Sequence, residues 1–437
     1  MTEVLTPCDV RKSRLPSGIR VLTESIPHCH SVALTIVGDV GPQDESEQHA
    51  GIAHLCEHAF FLGTGTRGEQ DIAELIDTAG GQLGAFTARD YTCLNATVTS
   101  DYLTYALDLL GDMLSNVQFS DERLHHEKEV IKHELDEHQD SPESSLDERL
   151  KQLLWPGDPL GRSIIGTPEG LGRIEPADVR RFIRTQYTPD RLIVAAAGRL
   201  DHDSIVEQVH DALWQLRGDD TRQSLPLATS QHGLIVESSA RRSALVSIMI
   251  PMPAYADPDR YALHVLSNLL GGGMSSRLYR EIRERMGIAY CVSSQLHAYR
   301  RGGALVIEVS TPPETVMMAI TAVYTQLTRL AWEDQPIGEE ELWKAKMQTR
   351  GQAYLSSDSI QTRVSRLAMQ EHYFGNPLEQ NHLLQSIDEV DLNSVCNVAR
   401  RVLGEGISSA VIGVSGVPEQ LAGELRSEIS DMQGCFQ

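Results

Sequence analysis

Short β-rich runs alternate with stretches of helical spacing, and the same order occurs twice along the chain. Gly18-Ile-Arg-Val-Leu-Thr and Ser31-Val-Ala-Leu-Thr-Ile-Val lie between turn signals and predict a strand pair. Gly51 to Leu62 carries apolar residues at helical spacing, and residues 70–79 predict a second helix, closed by Gly80-Gly81. A β-rich run from Gly84 to Val98 follows, then a helix with Tyr102, Ala106, Leu109, Leu110 and Met113 on one face. Asp121 caps a long charged helix that reaches Gln139. In the second half, Gly233–Glu237 and Ala244–Ile250 read as strands and Asp259–Leu270 as a helix. A helix over Ser275–Glu284, strands over Ala289–His297 and Ala304–Ser310, and a long helix from Pro313 to Trp332 complete the repeat.

Strand, strand, helix, helix, strand, strand, long helix thus occurs twice, which predicts an internal duplication at domain scale. The polar, aperiodic stretch Leu216 to His232 separates the halves. The expected division is an N-terminal domain over 1–216, a linker over 217–232 and a C-terminal domain over 233–437. Strand runs and helix runs are grouped rather than strictly alternating, so each half predicts an α+β fold with a mainly antiparallel sheet. Gly271-Gly272-Gly273 lacks the lysine of a phosphate-binding loop and does not follow a strand; it reads as a tight helix-to-helix turn or a close backbone approach.

The 437 residues are 41% hydrophobic but only 5% aromatic, so the cores are mainly aliphatic. The net charge of −23 argues against sequence-independent nucleic-acid binding and against adsorption to an anionic membrane, both of which need a basic surface. It favours a cationic substrate, or simply solubility. No run of apolar residues predicts a transmembrane helix, and Met1 to Arg14 lacks the apolar core of a secretory signal. Seven scattered cysteines without C-x-x-C argue against a disulfide framework, and a reducing cytosol is the expected compartment.

His54-Leu-Cys-Glu57-His58 is an H-x-x-E-H string. On a helix the two imidazoles are one turn apart on one face and can reach one metal, with Glu57 beside them as a base. A catalytic zinc needs a third protein ligand and one open position. The helix after Asp121 offers Glu127, Glu134 and His138 on one face with Ile131, whereas Glu129, His133 and Asp136 lie elsewhere. Spacing leaves Glu134 and His138 both open as the third ligand. Cys56 falls off the face of His54 and His58 and reads as structural.

Gly51-Ile-Ala-His-Leu-Cys-Glu-His followed by Phe61-Leu-Gly-Thr resembles the zinc peptidases grouped with pitrilysin, insulysin and the mitochondrial processing peptidase. Val130-Ile-Lys-His-Glu134-Leu is similar to that family's segment carrying the ligand glutamate, and Glu127 to its second glutamate. Gly80-Gly81 with Ala85-Phe86-Thr87 resembles the substrate-binding edge strand. Leu270-Gly-Gly-Gly-Met-Ser-Ser-Arg-Leu with Arg283 and Gly287-Ile-Ala-Tyr290 resembles the second-half substrate element.

The resemblance implies two homologous α+β domains and a dimer enclosing a chamber. It implies one Zn2+ per chain held by His54, His58 and Glu134, with Glu57 as general base toward a zinc-activated water and Glu127 orienting a ligand. Ala85, Phe86 and Thr87 would take an extended, unfolded peptide by strand addition, and Arg283 and Tyr290 would bind its backbone or the developing oxyanion. Both elements occur in this one chain, so a homodimer is the simpler expectation and a heterodimer with a homologous subunit the alternative. The competing functional readings are a leader-peptide protease of a peptide-biosynthesis pathway and a non-catalytic scaffold subunit. Gly84, Asp90 and Tyr91 stand where the family usually has Asn, Glu and His, which bears on rate and substrate preference.

Overall fold

The computed structural model describes residues 9–218, 225–239, 241–334, 337–376 and 380–434. The chain divides into two compact units, and each takes a segment from the other half of the sequence. The first draws on the chain up to Leu135, on the segment starting at Ser163, and on a segment starting at Tyr354 that contains the helix Ile360–Phe374. The second takes Asp136–Arg162, the chain from Leu225 to Ala353, and the chain from residue 380 onward. The expected division at 217–232 treats each half as continuous and does not contain this exchange. Residues 219–224 of the expected linker lie outside the described residues; residues 225–232 have no regular secondary structure.

The first unit holds β1 (Asp9–Arg14), β2 (Arg20–Ser25), β3 (Ser31–Gly38), β4 (Gln82–Thr87), β5 (Thr92–Thr99) and β6 (Leu192–Gly198), in sheet order β1-β2-β6-β3-β5-β4. The second holds β7 (Gly233–Ser238), β8 (Ala244–Met252), β9 (Cys291–Tyr299), β10 (Gly302–Thr311) and β11 (Val411–Val417), in order β7-β11-β8-β10-β9. Without β1 the two orders correspond strand for strand, so the duplication extends to topology. Among the described residues only β2–β6 and β7–β11 are parallel; the other ladders are antiparallel.

One expectation is corrected. The runs at 18–23 and 31–37 form β2 and β3, but they do not pair with each other, because β6 lies between them. The cause is the composition of β6, Leu192-Ile-Val-Ala-Ala-Ala-Gly, which is buried along its whole length. Leu192, Val194 and Ala196 join the main core of the unit, while Ile193, Ala195 and Ala197 join a core on the opposite face with Val364, Leu367 and Ala368 of the helix Ile360–Phe374. A strand buried on both faces belongs at the centre of a sheet. The second unit repeats the device: Ile412 and Val414 of β11 face the main core, and Val411 packs with Leu146, Leu150 and Leu154 of the helix Pro142–Leu154.

The expected helix at 70–79 spans Glu69–Thr78 and stops at Gly80, whose φ of 58° is the left-handed conformation of a helix C-terminus. The stretch expected to be helical at 275–284 overlaps a π-helix over Tyr279–Arg285. Gly271 ends the preceding helix where a Cβ would lie 2.6 Å from the Ser294 backbone nitrogen, so the glycine turn serves a close helix–strand approach. Among the described residues Cys29, Cys56, Cys93, Cys291 and Cys396 are free thiols, while Cys8 and Cys435 lie outside them. Among the described residues no helix is long and apolar enough to cross a membrane.

Candidate metal centre

The H-x-x-E-H string lies on the helix Ile52–Ala59, whose remaining residues Ile52, Ala53, Leu55, Cys56 and Ala59 are buried in the core of the first unit. The helix starts at Gly51 with φ 95°, and a Cβ there would lie 2.5 Å from the Ile165 carbonyl oxygen. Both the conformation and the space require glycine. The buried carboxylate of Glu45 caps the start: Gly51 N–H donates to Oε2 at 3.0 Å and Ala53 N–H to Oε1 at 2.9 Å. Arg191, equally buried, donates to the Asp39 carbonyl oxygen and to Asp44 Oδ1, which ties down the loop carrying Glu45. Sequence reasoning missed Glu45; the available signal was the acidic segment Asp44, Glu45 and Glu47 just before a helix that lacks a Ser, Thr, Asp or Asn cap.

The helix Asp121–Asp140 supplies the opposing carboxylates. It buries Leu124, Lys128, Ile131 and Leu135, and the Lys128 ammonium donates to the Ile174 carbonyl oxygen at 2.9 Å. This packing brings Glu134 to both imidazoles, with Oε1 3.7 Å from His54 Nε2 and Oε2 3.7 Å from His58 Nε2. All three ligand atoms lie within 4.8 Å of one another, and among the described residues this is the one such cluster of three or more potential ligands. His138, the other candidate, lies 3.4 Å from Glu148 instead. Glu127 Oε2 accepts from His58 Nδ1–H at 3.1 Å, which leaves the Nε2 lone pair facing Glu134.

The donor set fits a zinc ion. Tetrahedral zinc with bonds of about 2.0–2.2 Å separates its ligand atoms by about 3.4 Å. The observed 3.7 Å is too long for a hydrogen bond and close to that edge length. Two imidazoles and one carboxylate leave the fourth corner of a catalytic site open. Among the described residues His54 Nδ1 is buried without a hydrogen-bond partner, so packing rather than a second carboxylate holds that ring.

Burial pushes the His54 imidazole down to about 4, with Glu134 acting the other way. Burial also pulls on His58, but the Glu134 and Glu127 carboxylates outweigh it and raise the net value above that of an ordinary histidine. Burial raises the Glu57 carboxyl, opposed by the Thr87 hydroxyl, which donates to Glu57 Oε2 at 2.7 Å. The fully buried Cys56 thiol is pushed well up by desolvation and takes no part in the cluster.

Of the expected edge-strand residues, Ala85, Phe86 and Thr87 all fall on β4, which ends its sheet. Phe86 is exposed, and its ring meets Tyr91 edge-on at 5.9 Å. Thr87 does more than line an edge, since its side chain holds Glu57. Arg283 and Tyr290 lie in the second unit and meet each other: the guanidinium stands 5.5 Å from the Tyr290 ring and 5.0 Å from that of Tyr279. Tyr290 is 81% exposed. In that unit the helix Arg260–Gly271, topologically equivalent to Ile52–Ala59, carries His264-Val-Leu-Ser267-Asn268 where the first unit has H-x-x-E-H. One imidazole remains there, and both the second imidazole and the carboxylate are gone.

Two repeated α+β units, of which only the first gathers such a ligand set among the described residues, match the pattern of relatives. A model of the insulinase family, peptidase family M16, matches residues 20–168, and a model of the M16 inactive domain matches residues 173–349. A protein of Mycobacterium bovis named as an uncharacterized zinc protease is 34% identical over 424 residues, covering 96% of each chain. One of Bacillus subtilis bearing the same description is 30% identical over 409 residues, covering 93% of this chain and 99% of that one. Two solved structures share the fold at 18% identity and a TM-score of 0.84. One is a peptidase M16 inactive domain from Pseudomonas fluorescens, covering 94% of this chain and 98% of that one; the other is a protease from Helicobacter pylori, covering 94% and 100%. The chain belongs to the M16 peptidase family and is similar throughout its length to proteins named zinc proteases.

Proposed function

We propose that the protein is a zinc metalloendopeptidase that hydrolyses short unfolded peptides, with one zinc per chain held by His54, His58 and Glu134. The convergence of those three side chains from two helices, with Glu57 half-buried next to them, carries the reading. Zinc bound there supplies a Lewis acid that lowers the pKa of water and polarises a carbonyl. The residues do the rest. Glu57 takes a proton from the attacking water, the water oxygen bonds to the carbonyl carbon, and the C–N bond breaks as Glu57 returns the proton to the departing amine. Glu127 keeps His58 in the tautomer whose Nε2 is free. Arg283 and Tyr290 are assigned to substrate binding on the strength of the family resemblance and their donor groups.

An extended peptide added to the edge strand β4 satisfies its backbone without needing a folded partner. The −23 charge supports cationic peptides, leader peptides among them, as preferred substrates. A scaffold subunit would need none of His54, Glu57, His58 and Glu134, so their joint presence supports the enzyme. Two copies of the chain are proposed to pair, because each carries both the zinc motif and the Arg283/Tyr290 element. Hydrolysis of a quenched peptide tests the function: a chelator and Glu57→Gln should each abolish cleavage. A metal-free protein that still cleaves, or a mutant as active as wild type, would refute it.

A further inference from the structure

Thr87 has two separate engagements. Its hydroxyl donates to Glu57 Oε2 at 2.7 Å, and it is the last residue of β4, the open edge of the first sheet. Across the β4–β5 turn, Ala88 N–H donates to the Tyr91 carbonyl oxygen at 2.8 Å. Bonded and non-bonded pairs alternate along an antiparallel ladder. The next pair inward, Thr87 opposite Thr92, is therefore non-bonded, as is Ala85 opposite Leu94. The backbone groups of Ala85 and Thr87 consequently point away from β5, to the side where an added strand would lie, and there the Thr87 backbone N–H also reaches the Glu57 carboxylate. The residue that receives the peptide is also the residue that holds the base.

Resting on the peptidase reading above, we propose that Thr87 is a positioning residue. Its hydroxyl anchors the Glu57 carboxylate through Oε2, Oε1 is left to accept the proton, and a peptide paired along β4 fixes this arrangement in place. The side chain of Glu57 has three rotatable bonds before its carboxylate plane is set, and the charge-assisted hydrogen bond from the Thr87 hydroxyl, beside that from the Thr87 backbone N–H, removes much of that freedom. The anchor belongs to the strand that contacts substrate, so docking and aiming the base occur together. Binding itself uses backbone groups and does not need the hydroxyl. The threonine therefore acts on turnover rather than affinity.

The test compares full-length zinc-loaded wild type with T87V, T87S, E57Q and the double variant E57Q/T87V on a quenched peptide. Valine keeps the shape and removes the hydroxyl; serine keeps the hydroxyl. T87V should lose about tenfold or more in kcat with KM within about twofold, and T87S should return to within about threefold of wild type. E57Q should abolish cleavage, so the double variant is read in the infrared: its difference from E57Q should contain no shifted carboxylate stretch of residue 57. Bound zinc and the unfolding midpoint should be the same in T87V as in wild type. In zinc-free protein, the infrared difference between wild type and T87V should contain a shifted carboxylate stretch that is missing from the difference with T87S. T87V with wild-type kcat, T87S as slow as T87V, or a loss carried by KM would overturn the role of Thr87 while leaving the peptidase standing. E57Q as active as wild type would overturn both.

Discussion

His58 Nδ1 stands 3.1 Å from Glu127 Oε2, and its Nε2 stands 3.7 Å from Glu134 Oε2. One ring thus joins two carboxylates seven residues apart on the same helix, one as a hydrogen-bond acceptor and one as the proposed fellow zinc ligand. Glu127→Ala frees the ring to rotate and to change tautomer. Zinc affinity should fall by about 10–100-fold. Competition against a chelator of known affinity measures it, and an unchanged affinity would remove Glu127 from the site.

The buried Glu45 carboxylate accepts the Gly51 and Ala53 amides at the head of the helix that carries the zinc motif. Glu45→Ala leaves both donors buried without that partner, at about 1–3 kcal/mol each. The unfolding midpoint of zinc-free protein should drop by several degrees, and Glu45→Gln should recover part of the loss. A midpoint equal to wild type would show that the cap contributes nothing.

The histidines set a pH dependence with a definite sign. Zinc competes with a proton on His58, whose carboxylate neighbours hold it above the ordinary value, whereas His54 at about 4 is already neutral near pH 6. Zinc affinity should therefore rise by about tenfold per pH unit, one proton, from the value of His54 up to that of His58, and then level off. In zinc-free protein the two residues act oppositely. The raised His58 contributes stability that is complete below about 6.5 and is lost as pH climbs through its folded value; the lowered His54 opposes folding as pH falls from about 6.5 toward 4. Zinc titrations at a series of pH values check the slope, and a two-proton slope near pH 6 would contradict it.

The H-x-x-E-H cluster was legible because helical spacing alone puts His54 and His58 on one face; β4 was legible only as the start of one β-rich run from Gly84 to Val98, and its place as an edge strand came from the family resemblance. Spacing alone did not choose between Glu134 and His138, which share a helix face; the family resemblance pointed to Glu134, and the fold brings Glu134 to the imidazoles while His138 meets Glu148 on the helix Pro142–Leu154. β6 and β11 were missed for a related reason. A strand buried on both faces, as in Leu192-Ile-Val-Ala-Ala-Ala and in Val411-Ile-Gly-Val with a buried Ser415, has no polar alternation to read, and its place between two strands is decided by helices distant in sequence that cover the sheet's second face. The role of Thr87 was half legible: its strand could be read, but not the carboxylate its hydroxyl would find.

The acidic surface makes a prediction about substrates. Matched quenched peptides that differ only in carrying lysines or glutamates should be cleaved at different rates, the basic one faster at low salt, and the difference should shrink as salt screens the field. Equal rates at both ionic strengths would remove charge as a determinant of preference.

The ligand set can be observed directly by anomalous diffraction at the zinc edge from crystals of the zinc-loaded protein. The account predicts one peak per chain, bonded to Nε2 of His54, Nε2 of His58 and a carboxylate oxygen of Glu134 at about 2.0–2.2 Å. Zinc bound at other residues in a protein that cleaves peptide, or Glu134 turned away from the ion, would contradict it.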